Sequence, residues 1–166
     1  VSAVLNITPD HLNRHHTMEA YIQAKKNVAI NQTAEDTCVL NYEDEVLREF
    51  GETLQTKVLY FSSKRKLDKG IYLDDGNIIY RNPDECLVCN VKELKLLGVH
   101  NYENVMAAVA MAAAYGVPMD SIHKTIKEFA GVEHRIEFVA EKNGVAYYND
   151  SKGTNPDAAI RGIQAM

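Results

Sequence analysis

Three short runs rich in β-branched and apolar residues, VSAVLNI, TCVLNY and KVLYFSS, alternate with segments of helical character, and this alternation constrains the fold more than any other feature. When a helix intervenes between consecutive strands, those strands pair side by side through a crossover, so the pattern implies an α/β fold: a mostly parallel sheet with flanking helices. Thr17 is placed to cap a helix through MEAYIQAKKNVAINQ, after a polar loop TPDHLNRHH, and DEVLREFGETL reads as a short amphipathic helix. The pattern then changes. GIYLDDGNIIYRN holds an Asp-Gly-Asn turn between two β-rich runs, which predicts an antiparallel hairpin, with ECLVCN beside it to extend the sheet or flank it.

The run NYENVMAAVAMAAAYG from Asn101 is Ala-rich and uncharged past its first turn, which predicts a buried helix stopped by Gly116 and Pro118. Asp120 is placed to cap the following SIHKTIKEFAG, whose Ile122, Ile126 and Phe129 share one face and which Gly131 ends. IEFVAEKNGVAYYND reads as a hairpin with an Asn-Gly turn that opens a new β-to-helix unit. A boundary is therefore expected near Val132, with residues 1–132 in one α/β domain and 133–166 beginning a second. The opening strand without an initiator Met and the helix in mid-course at PDAAIRGIQAM give the reading of an internal piece of a longer protein.

Composition narrows the partners. The formal net charge is -5 with no basic stripe, so the long-range field repels a nucleic-acid backbone. No apolar run approaches the roughly 20 residues that cross a bilayer, and a cytoplasmic protein with no membrane partner is expected. The three cysteines are an odd number, which fits a reducing compartment. Cys86 and Cys89 form a CxxC, but in a strand a three-residue offset sends the side chains to opposite faces, so they read as ordinary buried thiols.

Four constellations could carry chemistry. In DHLNRHH, His11 precedes a helix that carries Lys25, while His15 and His16 read as solvated; a hard cation there would need oxygen donors that His does not supply. In GVHNYENVMAA, Asn101 and Asn104 lie three residues apart on one helix face: they are either a cap and an exposed first-turn residue, or amides that read a purine edge or orient a phosphate. In EHRIEF, Arg135 follows the Gly131 break and suits a phosphate, although an Arg beside a Glu is more often a surface ion pair. The fourth, YYNDSKGTNPDAA, is the strongest: Asp150, Ser151, Lys152, Thr154 and Asn155 fill a loop between a strand and a helix that Asn155 caps, with Pro156 at its first position. Polar loops at that place are where α/β folds hold ligands.

In the order HNxxNxxAA, then HR, then NDSKxTN, these residues resemble the Mur ligase family over nearly the whole chain, and the NDSKxTN loop is similar to that of the D-glutamate-adding members. Here the loop reads NDSKGTN, with Gly153 where the family more often has Ala. The resemblance implies part of a P-loop-type central ATPase domain plus the start of the C-terminal domain. It implies an ATP-dependent amide ligase of peptidoglycan synthesis, adding D-glutamate to UDP-N-acetylmuramoyl-L-alanine through an acyl phosphate. It assigns His11 to Mg²⁺ and Lys25 to a carbamylated lysine that serves the same metal. The sequence alone does not choose between Lys25 and Lys26, but the spacing from His11 favours Lys25. Asn101, Asn104, Arg135 and Asp150 would bind ATP, and Lys152 and Thr154 would face the reacting centre. The full-length enzyme is expected to be a monomer. The family's GKTT-type phosphate loop is not in these residues and is expected before Val1, so the stretch alone is expected to be inactive. The rival readings are another Mur or folylpolyglutamate-type amide ligase and a non-catalytic nucleotide-binding module, which the upstream coding sequence would separate.

Overall fold

The computed structural model describes residues 1–166. Strands β1 (Ser2–Val4), β2 (Thr37–Asn41), β3 (Lys57–Ser62) and β4 (Gly70–Asp74) run parallel in that spatial order. Strands β5 (Asn77–Arg81) and β6 (Glu85–Asn90) continue the sheet by antiparallel pairing, so the hairpin extends it to six strands. The turn between β4 and β5 places Asp75 (φ 45°) and Gly76 (φ 75°) in the left-handed region, as a tight two-residue hairpin requires.

The period of two along the strands divides the apolar residues between two faces. Cys38 and Leu40 join Val4, Ala29, Leu47 and Phe50 on one side, where the 3-10 turn that follows helix α2 (Met18–Lys26) and helix α3 (Glu45–Thr53) cover the sheet. Val39, Leu59, Phe61 and Ile71 face the other side and meet Val105, Met106, Val109 and Ala110 of helix α4 (Val99–Tyr115). Small residues let α4 lie close over the parallel strands, and Ile122 of helix α5 (Met119–Glu128) seals the far edge. Each fully buried large apolar side chain here contributes roughly 1.5–3 kcal/mol. Strands β7 (Glu137–Lys142) and β8 (Val145–Asn149) pair only with each other, and helix α6 (Pro156–Gln164) follows them.

Caps explain most of the boundaries. The Thr17 and Asp44 side chains accept from Ala20 N and Leu47 N, and Gly116 ends α4 in the left-handed conformation. Three expectations need correction. The cap of α5 is Pro118, whose carbonyl accepts from Ser121 and Ile122, so Asp120 lies inside the first turn. The regular helix α2 stops at Lys26 and tightens into a 3-10 turn over Asn27–Ala29, closed by Ile30 N–H on the Asn27 carbonyl. The TPDHLNRHH segment is not all loop, because the His11 carbonyl accepts from Arg14 and His15 and closes a one-turn helix α1 (Leu12–His15). All three cysteines are free: Cys38 and Cys89 are buried, while Cys86 is half-buried. Burial, with Glu93 nearby, pushes the Cys89 thiol up to about 11, which makes it unreactive.

One polar cluster is built into the sheet's end. The Glu43 carboxylate, 9% exposed, accepts from the buried Ser62 hydroxyl at 2.7 Å and from both Nε and Nη2 of Arg65 at 2.9 and 2.8 Å. Burial alone would push Glu43 up, but the Ser62 and Arg65 bonds together hold it below the ordinary carboxylate range. A depressed folded pKa gives stability that is present above the unfolded value and is lost as pH falls through the folded one. Glu43→Gln is therefore expected to lower stability at pH 7 by roughly 1–3 kcal/mol. Its acid limb should be flatter than wild type below about pH 4.3. Thermal unfolding at a series of pH values measures both, and an unchanged acid limb would refute the assignment.

Candidate active site

The loop after β1, the first turns of α4 and α6 and the loop after β8 converge on a cleft of about 210 Å³. Its place is physically expected, since the carboxyl ends of parallel strands and the amino ends of helices both leave polar backbone groups free for a ligand. From the β1 side come Asn6, Thr8 and Asp10, and from α2 come Tyr21 and Lys25. The first turn of α4 supplies His100, Glu103 and Asn104. Arg135, Asp150, Asn155, Asp157 and Arg161 close the opposite side.

Lys25 lies on the cleft wall with its Nζ 5.4 Å from the Tyr21 ring centre. Lys26 turns the other way, with its Nζ 5.4 Å from the Phe50 ring centre, in a shallow groove beside α3. Asn101 is neither a cap nor exposed. The cap of α4 is Gly98, whose φ of 90° suits glycine, and Asn101 is 6% exposed, donating to the Leu97 carbonyl at 2.7 Å. Its carbonyl oxygen accepts from the Asn104 amide at 3.4 Å, and Asn104 reaches both the cleft and a neighbouring pocket of about 340 Å³. That second pocket is walled by Leu96, Phe129, Gly131 and Val132, with Asn101, Arg135 and Lys152 at its polar end.

Arg135 does not form the surface ion pair that its neighbouring Glu suggested. The ion pairs of this region involve His134 and Arg161, which leaves the Arg135 guanidinium to face the cleft. It is held between two left-handed residues, His134 (φ 68°) and Ile136 (φ 47°). The Ile136 N–H donates to Asp150 Oδ1 at 3.2 Å, and the Lys152 N–H donates to the His134 carbonyl at 3.0 Å. Asp150 therefore fixes the backbone beside Arg135. Its carboxylate also lies against Gly153 and Gly162, where an added Cβ would come within 2.8 and 2.7 Å of Oδ2. The glycine at 153 thus makes room for the Asp150 carboxylate.

Four expected residues do not line the cleft: Asn101 and Lys152 border the neighbouring pocket, and two stand outside both. Thr154 is exposed and lines neither, and His11 has a side chain that is 69% exposed. Its neighbour Asp10 does line the cleft, taking the His11 N–H on Oδ1 at 2.8 Å. Asp10, Tyr21, Glu103, Asp157 and Arg161 were not singled out from the sequence, where they look like ordinary polar or helix-face residues. His100 lies in the first turn of α4, one residue inside the helix that the sequence places it before. Burial pushes its imidazole down, with Arg161 and Arg135 adding to the effect, which favours the neutral ring, able to accept a hydrogen bond.

No three His, Cys, Asp or Glu side chains converge as a complete metal site. The donor chemistry nevertheless fits part of one for a hard cation: the Asp10 carboxylate next to His11, facing a lysine whose carbamate would be an anionic oxygen ligand. For a nucleotide the fit lies in Arg135 and the first turns of α4 and α6 around the cleft, with an apolar pocket next to Asn104 that could take a flat base.

Residues 1–112 match the model of the Mur ligase middle domain. The UDP-N-acetylmuramoylalanine--D-glutamate ligase of Lachnoclostridium phytofermentans is 62% identical over all of this chain, which spans 37% of that protein. The enzyme of the same name from Clostridioides difficile is 50% identical over 99% of the chain, again covering 37% of the relative. Among solved structures, MurF from Acinetobacter baumannii superposes with a TM-score of 0.76 at 21% identity, over 98% of this chain and 36% of that one. MurF from Thermotoga maritima, solved in complex with ADP, gives 0.70 at 19% identity, covering 98% of this chain and 38% of that one. At these identities the structural likeness speaks for the fold.

Proposed function

The chain belongs to the Mur ligase family, and from that premise we propose that it is part of a ligase that uses ATP to join D-glutamate to UDP-N-acetylmuramoyl-L-alanine. The observation that carries the reading is the cleft, which gathers Lys25, Asn104, Arg135 and Asp150 from the two sides of the chain. Because the chain spans 37% of its first relatives, the catalytic cycle belongs to the longer protein. Residues 1–132 are read as the central nucleotide-binding domain and 133–166 as the start of the next. No helix is long and apolar enough to cross a membrane. We read the parent as a cytoplasmic monomer acting on small molecules and binding no nucleic acid.

The roles follow from chemistry. Bound ATP and Mg²⁺ would supply the phosphoryl group and the charge that stabilises its transfer to the substrate carboxylate. Asn104, with Asn101 behind it, offers a donor and an acceptor at the mouth of the apolar pocket, as recognition of an adenine edge requires. Arg135 presents a planar fork to phosphate oxygens, and Asp150 holds the backbone next to it. Lys25 as a carbamate, with His11 and Asp10, would hold the cation. Lys152, which lines the neighbouring pocket with Asn104 and Arg135, is assigned to the phosphate, and Thr154, exposed on the same loop, to D-glutamate.

The test is D-glutamate-dependent phosphate release from ATP and UDP-N-acetylmuramoyl-L-alanine by the full-length protein. Turnover is expected with D-glutamate, and Thr154→Ala should raise the KM for D-glutamate by about tenfold, the loss of roughly one hydrogen bond to a charged group. No turnover with all substrates and Mg²⁺ saturating would sink the assignment.

A further inference from the structure

The cleft is spanned by a second set of contacts, of which the proposed chemistry uses only Asp10. Arg161, on α6, sits between two carboxylates: its Nε donates to Asp157 of its own helix at 2.9 Å, and its Nη1 lies 3.6 Å from Oε2 of Glu103 on α4. Glu103 is not free to follow α6. Its side chain is 17% exposed, and its other oxygen accepts from the Ser63 hydroxyl beyond β3 at 2.5 Å, which anchors it to the six-stranded sheet. A second bridge lies nearby, where the Asn155 amide donates to Asp10 at 3.2 Å while its oxygen caps α6 through Ala158 N. The third contact is steric. A Cβ at Gly98 would come within 2.6 Å of the Ala165 Cβ, so the end of α6 sits directly on the start of α4.

We infer that Glu103 and Arg161 form an ionic latch that holds α6 and its hairpin closed over the cleft, with Asp157 competing for the same guanidinium. Both partners line the cleft, so the pair lies on its wall. Its design is that of a weak, reversible contact. A partly exposed pair at 3.6 Å is favourable enough to bias a closed state and weak enough to release it. Asp157 gives Arg161 somewhere to go when the latch opens, so its charge is never left unpaired in the half-open cleft. Opening also breaks Asn155–Asp10, and Asp10 holds the His11 backbone, so closure and the conformation of the proposed metal-binding loop move together.

The latch is tested without any ligand, so its outcome is independent of the ligase reading. In the full-length protein, spin labels at Tyr115→Cys, at the far end of α4, and Lys142→Cys, at the tip of the hairpin, report the separation of the two sides in a background without other reactive cysteines. Glu103→Gln should raise the population of longer separations roughly two- to fivefold, the range expected for one exposed ion pair. Asp157→Asn should shift the distribution the opposite way, because it removes the competitor. Raising salt to about 0.5 M, where the screening length falls to roughly 4 Å, should mimic Glu103→Gln in the wild type and add little in that variant. A distribution that does not respond to Glu103→Gln, or that moves in the same direction for both variants, overturns the latch. Thermal unfolding of each variant identifies a misfolded protein, and the opposing sign expected for Asp157→Asn keeps the test decisive if Glu103→Gln is unstable.

Discussion

Lys25→Ala in the full-length enzyme is expected to lower D-glutamate-dependent phosphate release by about 10²–10³-fold, the scale of removing one electrostatic stabiliser of a transferring group. Lys26→Ala should leave it within about twofold, as surface substitutions away from a site do. The contrast comes from geometry. The two lysines are adjacent in sequence, but roughly 100° of helical rotation sends one to the cleft beside Tyr21 and the other onto Phe50 at the opposite flank. An unmodified ammonium at Lys25 would repel a divalent cation, whereas its carbamate would add a hard oxygen ligand next to the Asp10 and His11 loop. The same variant supplies a check that does not depend on turnover. Wild-type protein equilibrated with isotopically labelled bicarbonate should show one carbamate carbonyl resonance that Lys25→Ala lacks and Lys26→Ala retains. Equal losses in the two variants, or a resonance that survives Lys25→Ala, would remove Lys25 from the metal site.

The residues visible in the sequence and those that were not differ in kind. The parallel sheet was legible because β1, β2 and β3 are each bounded by polar or helical segments, and because Cys38, Val39 and Leu40, all fully buried, fit a strand covered on both faces. The hairpins were legible because Asp75-Gly76 and Asn143-Gly144 supply the left-handed pairs that their turns require. Asn155 announced its helix by its place before Pro156. Asp120 misled, because capping is decided by where the backbone turns, and Pro118 had already started the helix. Of the two readings of Asn101, the cap fails: an Asn near a helix start resembles one, yet here it is a buried side chain that ties α4 to Leu97. The cleft-lining Glu103 and Arg161 carry no local signal at all. They are 58 residues apart in sequence, and only the docking of α6 on α4 brings them together. Pairwise chemistry between elements is settled by packing, and a single chain read residue by residue does not contain it in local form.

Arg135→Lys is expected to cost about 10²-fold in kcat/KM for ATP and Arg135→Met somewhat more, with little change in melting temperature. Lysine keeps the charge but loses the fork, so a small difference between the two variants would mean that bidentate geometry matters and a large one that charge alone does. The structure points to geometry. Ile136 is β-branched and sits at φ 47°, a conformation that costs roughly 1–3 kcal/mol and persists only where neighbours hold it. Those neighbours are Asp150, which accepts the Ile136 N–H, and Lys152, whose N–H donates to the His134 carbonyl. The backbone on either side of Arg135 is thus fixed by residues of the NDSKGTN loop, and a strained, doubly anchored backbone has a physical purpose if it aims a rigid side chain. Asp150→Ala should therefore mimic part of the Arg135→Met loss by freeing the backbone rather than by removing a charge. Ile136→Gly, which tolerates the same φ without strain, should retain most of the activity in the full-length enzyme while Asp150 is present. If Asp150→Ala leaves kcat/KM for ATP unchanged while Arg135→Met abolishes it, the anchoring role falls and Arg135 acts without it.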